Sequence, residues 1–190
     1  MLSLLSGLSF FQHAAIASAA VAADDELRLC RVETIPKDIL DTLDRRFYGW
    51  KVQDSSNLLP KVRQKWAAIA PLTCPGIATG HLEESRSISY ALLLVPVDPS
   101  VNGYKFVVFT AASGQSFYGF KMLDQSASNA SAFFIHPVAI DRVFDSTLKQ
   151  QFRPRMNDAV MLFRADDESA SQNVFYWKGD GYERAQVDYQ

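Results

Sequence analysis

The stretch Cys74-Pro-Gly-Ile-Ala-Thr-Gly-His-Leu-Glu-Glu-Ser-Arg-Ser-Ile-Ser-Tyr-Ala-Leu-Leu-Leu-Val-Pro-Val97 decides the fold. It opens on a cysteine and a Pro-Gly pair, crosses a polar turn, and ends in an aliphatic run with apolar residues on both strand faces. A run of that kind suits a central strand covered on both sides. Upstream of it, apolar residues recur at helical spacing. Downstream, every apolar run is short, β-branched or aromatic and is bounded by turn residues. The stretch is the hinge between a helical part and a strand part.

On the upstream side, Ile35-Pro36-Lys37-Asp38 starts a helix with proline in its first turn, where a missing amide hydrogen costs nothing. Ile39, Leu40, Leu43 and Phe47 form one apolar stripe, and Gly49 is the natural stop. Trp50-Lys-Val52 reads as a short strand. Ser55, Ser56 or Asn57 is the expected cap of a second helix with Leu59, Val62, Trp66 and Ile69 as its stripe, ended by Pro71. Trp50 and Trp66 lie on or beside these stripes and read as core rather than as a ligand-stacking pair.

Downstream, strands are expected at Ile88 to Val97, Tyr104 to Thr110, Phe117 to Leu123, Phe133 to Val138 and Ala159 to Arg164. A final hairpin joins Asn173 to Trp177 with Tyr182 to Val187, with Asp180-Gly181 as its tight turn. The Ser-, Ala- and Asn-rich segment from Gln125 to Ala132 reads as a loop. It contains the sequon Asn129-Ala-Ser131, which matters only in a eukaryotic secretory pathway.

The chain has 190 residues, 48% hydrophobic and 21% charged, enough apolar side chains for one domain with a proper core. Its formal net charge of −2 gives no overall field to gather nucleic acid or an anionic membrane surface. Arg153 and Arg155 form a local basic pair that reads as a solvated turn. Residues 1–23 carry no Asp, Glu, Lys or Arg and end in alanines before Asp24-Asp25-Glu26. That is the build of a secretory signal peptide, with Val21-Ala22-Ala23 or Ala20-Val21-Ala22 as the cleavage site. The first residues lack a basic side chain, which leaves open a misassigned initiator methionine or an uncleaved anchor. Gln12 and His13 break the apolar run, so no stable membrane span is expected after cleavage. In an oxidising compartment, periplasmic or secreted, Cys30 and Cys74 are most simply one disulfide.

No reactive centre stands out. Gly114-Gln-Ser116-Phe-Tyr-Gly119 resembles a nucleophile elbow, but its second glycine comes one residue late and strand-like sequence follows. His81-Leu-Glu83 matches the His-x-Glu of zinc deaminases without the cysteine pair that must follow. On a strand, His81 and Glu83 point to one face and permit a hydrogen-bonded pair. His136 stands near Asp141 and Arg142, and a dyad with Cys74 or a triad with Ser116 depends on the fold. Two mature histidines and two paired cysteines leave too few ligands for zinc, and no dinucleotide or phosphate-loop fingerprint is present, so neither metal nor cofactor is expected.

The segment Gly80-His-Leu-Glu-Glu-Ser-Arg-Ser-Ile-Ser-Tyr-Ala91 resembles, in a single degenerate copy, the strand-turn-strand unit of FG-GAP and VCBS-type repeats. Gly80, the spacing, and Tyr90-Ala91 entering an aliphatic strand carry the likeness; His81, Glu83, Ser85 and Ser87 stand where that family places oxygen ligands and glycines. The resemblance implies a small secreted bacterial protein with an α+β fold, and points to export and fold more than to any activity. Calcium takes about six to eight oxygens, so Glu83, Glu84 and a few serines make a poor cage.

The sequence therefore predicts α+β architecture: two N-terminal helices on one face of a largely antiparallel sheet of about six to eight strands, stapled by Cys30 and Cys74. The leading functional expectation is an exported, non-catalytic protein that binds a protein or glycan in the cell envelope, as an inhibitor or immunity-type partner. Candidate binding residues are His81, Glu83, Glu84, Tyr118 and Tyr176. The alternatives are a small hydrolase using His81 with Glu83 or His136 with Asp141, and a calcium-stabilised structural domain.

Overall fold

The computed structural model describes residues 30, 34–83, 87–111, 117–140, 158–165 and 171–187. The signal-like segment 1–23, Glu84, Ser116, Asp141, Arg142, Arg153 and Arg155 lie outside them.

The single helix-backed sheet is overturned: strand outweighs helix, 47% to 23%, and the strands form two antiparallel sheets. In the first, β3 (Ser89–Pro96), β4 (Tyr104–Ala111) and β5 (Tyr118–Ser126) form a meander. The other edge of β3 is shared by β2 (Ile77–Gly80) along its first half and by β1 (Trp50–Val52) along its second. The second sheet is a meander of β6 (Phe133–Ala139), β7 (Asp158–Arg164), β8 (Ser171–Trp177) and β9 (Tyr182–Val187).

The two sheets face each other. Ala91, Leu93, Phe106 and Val108 from one meet Ile135, Val160, Leu162 and Phe175 from the other in a common core. Alternation along each strand then turns the remaining apolar side chains outward. On the first sheet Leu92, Leu94, Val107 and Phe109 are covered by Ile39 of helix α1 (Lys37–Arg46), with Leu40 and Leu43 beside it. On the second, Phe134, Met161, Phe163 and Val174 are covered by Val62 and Trp66 of helix α2 (Pro60–Ile69). The helices thus lie on opposite sides, and the layers run helix, sheet, sheet, helix.

A backbone seam joins the sheets where the deciding stretch begins. Leu93 N donates to Gly76 O at 2.9 Å and Ile135 N to Pro75 O at 2.8 Å, so two consecutive carbonyls hold one strand from each sheet. Gln53 completes the seam: its backbone N bonds Leu93 O at 2.8 Å, and its buried amide nitrogen bonds Ala130 O at 3.0 Å and Phe133 O at 3.3 Å. A side chain at residue 76 has no room there, since its Cβ would lie 2.3 Å from Gln53 O.

Two local expectations are also corrected. Ser55 to Asn57 form a short 3-10 turn closed by the Asp54 carboxylate on Ser56 N and do not cap α2; Leu58 is the buried residue and Leu59 is exposed. In the final hairpin Lys178 N bonds Gly181 O at 2.9 Å, which makes Gly179 and Asp180 the loop residues. The positive φ, 108°, falls on Gly179 and not on Gly181. Glycine first, with φ positive there, is the type II′ arrangement that matches strand twist.

Candidate functional site

Among the described residues the seam closes the sandwich on one side only. On the other, β5 and β9 end their sheets without pairing to each other. Between these edges lies a cavity of about 270 Å³ lined by Lys121, Met122, Leu123, Phe175, Tyr182, Glu183 and Arg184. Its inward side chains follow from register. Lys121 pairs with the core residue Val108, and Arg184 pairs with the core residue Phe175, so both cations point toward the interior. Leu123 joins the same core beside the register shift opposite Phe106 and Val107.

Lys121 is the pivot of this opening. Its Nζ donates to Glu83 Oε1 at 2.7 Å, with the glutamate 13% exposed and the lysine 46%. The same ammonium lies 4.2 Å from the ring centre of Trp177 and 5.9 Å from that of Tyr182, and those rings meet edge to face at 5.2 Å. A cation over an aromatic face is attracted by the ring quadrupole, more strongly as water is removed. One β5 side chain therefore holds the turn after β2 and the β8–β9 hairpin together across the gap. The buried Tyr182 hydroxyl closes no hydrogen bond of ordinary geometry among the described residues. Burial first, then the nearby Glu83 carboxylate, push its pKa well above the usual phenol range.

A second space lies on the outer face of β5, a groove of about 530 Å³ between that strand and the end of α1. Phe117, Tyr118 and Phe120 line one wall, and Thr42, Arg45 and Arg46 the other. Phe120 is held edge to face by Phe47 at 5.2 Å yet stays 40% exposed, as does Met122, and Phe117 is 58% exposed. Arg45 Nε caps the Asp41 carbonyl at 2.9 Å, and among the described residues neither arginine has a carboxylate partner.

The residues singled out from sequence are dispersed. Glu83 belongs to the inner opening and Tyr118 to the outer groove, where it packs edge to face on Tyr90 at 5.7 Å. His81 is exposed beyond the end of β2, and its backbone N donates to Asp158 Oδ2 at 2.8 Å, while its ring has no hydrogen bond among the described residues. Among the described residues no hydrogen bond joins His81 to Glu83. Tyr176 donates to Glu183 Oε2 at 2.9 Å; burial and that bond raise its pKa to about 12. Glu183 also takes Lys178 Nζ at 2.7 Å, and the two bonds hold its carboxyl below the usual range. His136 is set by alternation on the outer face of β6 with Phe134 and Val138, and its Nδ1 is buried without a partner among the described residues. Burial lowers its pKa.

Cys30 and Cys74 form the disulfide, with Cα atoms 4.9 Å apart. Among the described residues no three His, Cys, Asp or Glu side chains converge to hold a metal ion, and no helix is long and apolar enough to cross a membrane. Sequence reasoning passed over Lys121, Arg184 and Asp158. Lys121 alone carried a signal, a single cation inside the aromatic run Phe117-Tyr-Gly-Phe-Lys-Met-Leu123.

The fold and site define a four-layer sandwich, open along one pair of edge strands, with aromatic and cationic side chains around the opening. The chain matches no family model, no curated protein and no solved structure.

Proposed function

We propose that this chain is an exported, disulfide-stapled, non-catalytic protein that binds another macromolecule along the open β5 side. The observation that carries the reading is β5 itself. Among the described residues it is paired on one side only, and it exposes Phe120 and Met122, with Phe117 just before it, beside a cavity on one face and a groove on the other. Exposed aromatic and aliphatic side chains on a rigid sheet present contact area at little entropic cost. Export is supported by the disulfide, which is compatible with an oxidising compartment. In this reading His81 and His136 are structural residues.

The test uses the mature protein and its Phe120→Asp/Met122→Asp variant, matched for melting temperature, to retain partners from the native cell envelope. The reading predicts a partner held by the first and lost by the second. Equal retention, or no retained partner, would overturn it.

A further inference from the structure

We propose that β5 is a strand acceptor: an extended acidic segment of the partner adds to its free edge and sends alternate side chains into the inner cavity and the outer groove. The inference rests on the macromolecule-binding reading and names the chemistry of the partner. Three observations carry it.

The first is the edge. β5 is nine residues long and pairs with β4 from Tyr118 to Ser126, while its other side meets no strand among the described residues. An unpaired row of amides and carbonyls is a template for another strand. Proteins that leave an edge unused blunt it with short length or charge. β9, six residues long with the charged pair Glu183-Arg184 in its first half, fits that description. β5 is longer, turns its charges inward, Lys121 to Glu83 and Asp124 to Tyr104, and keeps Phe120 and Met122 exposed, with one irregularity, the register shift opposite Phe106 and Val107.

The second is the pair of spaces. Side chains of an added strand alternate between the two faces of the sheet, so recognition by strand addition needs a receptacle on each face. β5 has both: Lys121 and Leu123 line the inner cavity, and Tyr118 and Phe120 line the outer groove.

The third is charge. Among the described residues, the carboxylates at the inner opening are already engaged, Glu83 by Lys121 and Glu183 by Lys178 and Tyr176, and none lines the outer groove. Arg45 and Arg46 in the groove and Arg184 in the cavity have no carboxylate partner among the described residues. Guanidinium groups on both faces without a carboxylate partner among the described residues favour carboxylates from both faces of the incoming strand, with planar two-point geometry available to each.

The probe is a capped octapeptide, Glu-Glu-Val-Val repeated twice, which presents Glu and Val alternately on each face. Its binding is compared with a lysine-for-glutamate version and with two versions N-methylated at alternate residues, which keep the charge and remove the backbone donors of one edge or the other. The proposal predicts that the acidic peptide binds and slows amide exchange within β5, and that the lysine peptide does not bind. At least one methylated peptide loses about tenfold or more in affinity. Replacing both groove arginines, Arg45→Gln with Arg46→Gln, weakens the acidic peptide by about tenfold, while the melting temperature reports that the variant is folded.

If both methylated peptides bind as well as the parent, strand addition is wrong and the macromolecule-binding reading stands. If no peptide binds, the inference fails although a partner is still captured. If β5 amides are protected without peptide only at high protein concentration, a second copy supplies the strand and the acidic partner is excluded.

Discussion

Replacing Gly76 by alanine places a methyl group in the seam where one backbone segment bonds a strand of each sheet. The added Cβ would meet Gln53 O at 2.3 Å, Gln53 N at 2.7 Å and Gln53 Cβ at 2.9 Å, against an ordinary contact of 3.4–4 Å. The obstructing atoms are mainly backbone, so no rotamer change removes them, and a gap of about 1 Å must open. That displacement acts on three bonds at once: Gln53 N to Leu93 O, Leu93 N to Gly76 O, and Ile135 N to Pro75 O. At a net value near 1 kcal/mol each, their loss costs about 3 kcal/mol. Residual crowding adds about 1–2 kcal/mol. A total of about 4–5 kcal/mol is a large share of the 5–15 kcal/mol typical of a domain. Gly181→Ala is the control, because it has nothing within 4 Å of its Cβ and no positive φ. Chemical denaturation of the oxidised protein should show the midpoint of Gly76→Ala far below wild type and an unfolding free energy of Gly181→Ala within about 0.5 kcal/mol of wild type. Equal effects from the two alanines would refute the seam.

The remaining predictions concern the staple, the pivot and a buried imidazole. Removing the Cys30–Cys74 bond, which closes a separation of 44 residues, should destabilise the chain by about 4 kcal/mol on the chain-entropy model; an unchanged denaturation midpoint under reductant would contradict it. Lys121→Met removes the ion pair to Glu83 and the contacts with Trp177 and Tyr182, and should cost about 1–2 kcal/mol. It should also change Trp177 fluorescence; an unaltered spectrum would show that the lysine does not sit on the ring. For His136 the folded pKa lies below the ordinary 6.5 because burial disfavours the imidazolium. Its contribution to stability is therefore constant above that value and falls as pH drops below it, toward the folded pKa. His136→Phe should flatten the decline seen in stability measured from pH 7 down to pH 5, and an identical pH profile would remove the assignment.

Most elements were legible because their signals are local. The stripe Ile39, Leu40, Leu43 and Phe47 gave α1, and Gly49, with φ of 80°, ends it as its type suggests. The apolar run in β3 correctly indicated cover on both faces, but a sequence pattern states that a face is covered and not by what. Ala91 and Leu93 turned out to face the other sheet, and Leu92 and Leu94 face α1. One count could have corrected this: β3, β4, β6 and β7 all carry apolar residues on both faces, and two helices of ten residues cannot cover so much surface. Two sheets turned on each other can. The hairpin misled for a different reason, since Gly179-Asp180 and Asp180-Gly181 are both turn pairs, and the Trp177–Tyr182 register chooses between them. Lys121 and Arg184 escaped notice because their meaning lies in a gap between strands distant in sequence, and no local spacing reports it.

The claim on which the functional account rests is that β5 has one unpaired edge, and residue-resolved amide exchange in the dilute protein without ligand measures it directly. The account predicts alternation along Tyr118–Ser126, slow at amides turned to β4 and fast at amides turned to the opening, beside uniformly slow exchange in β4. Uniformly slow exchange along β5 would contradict it.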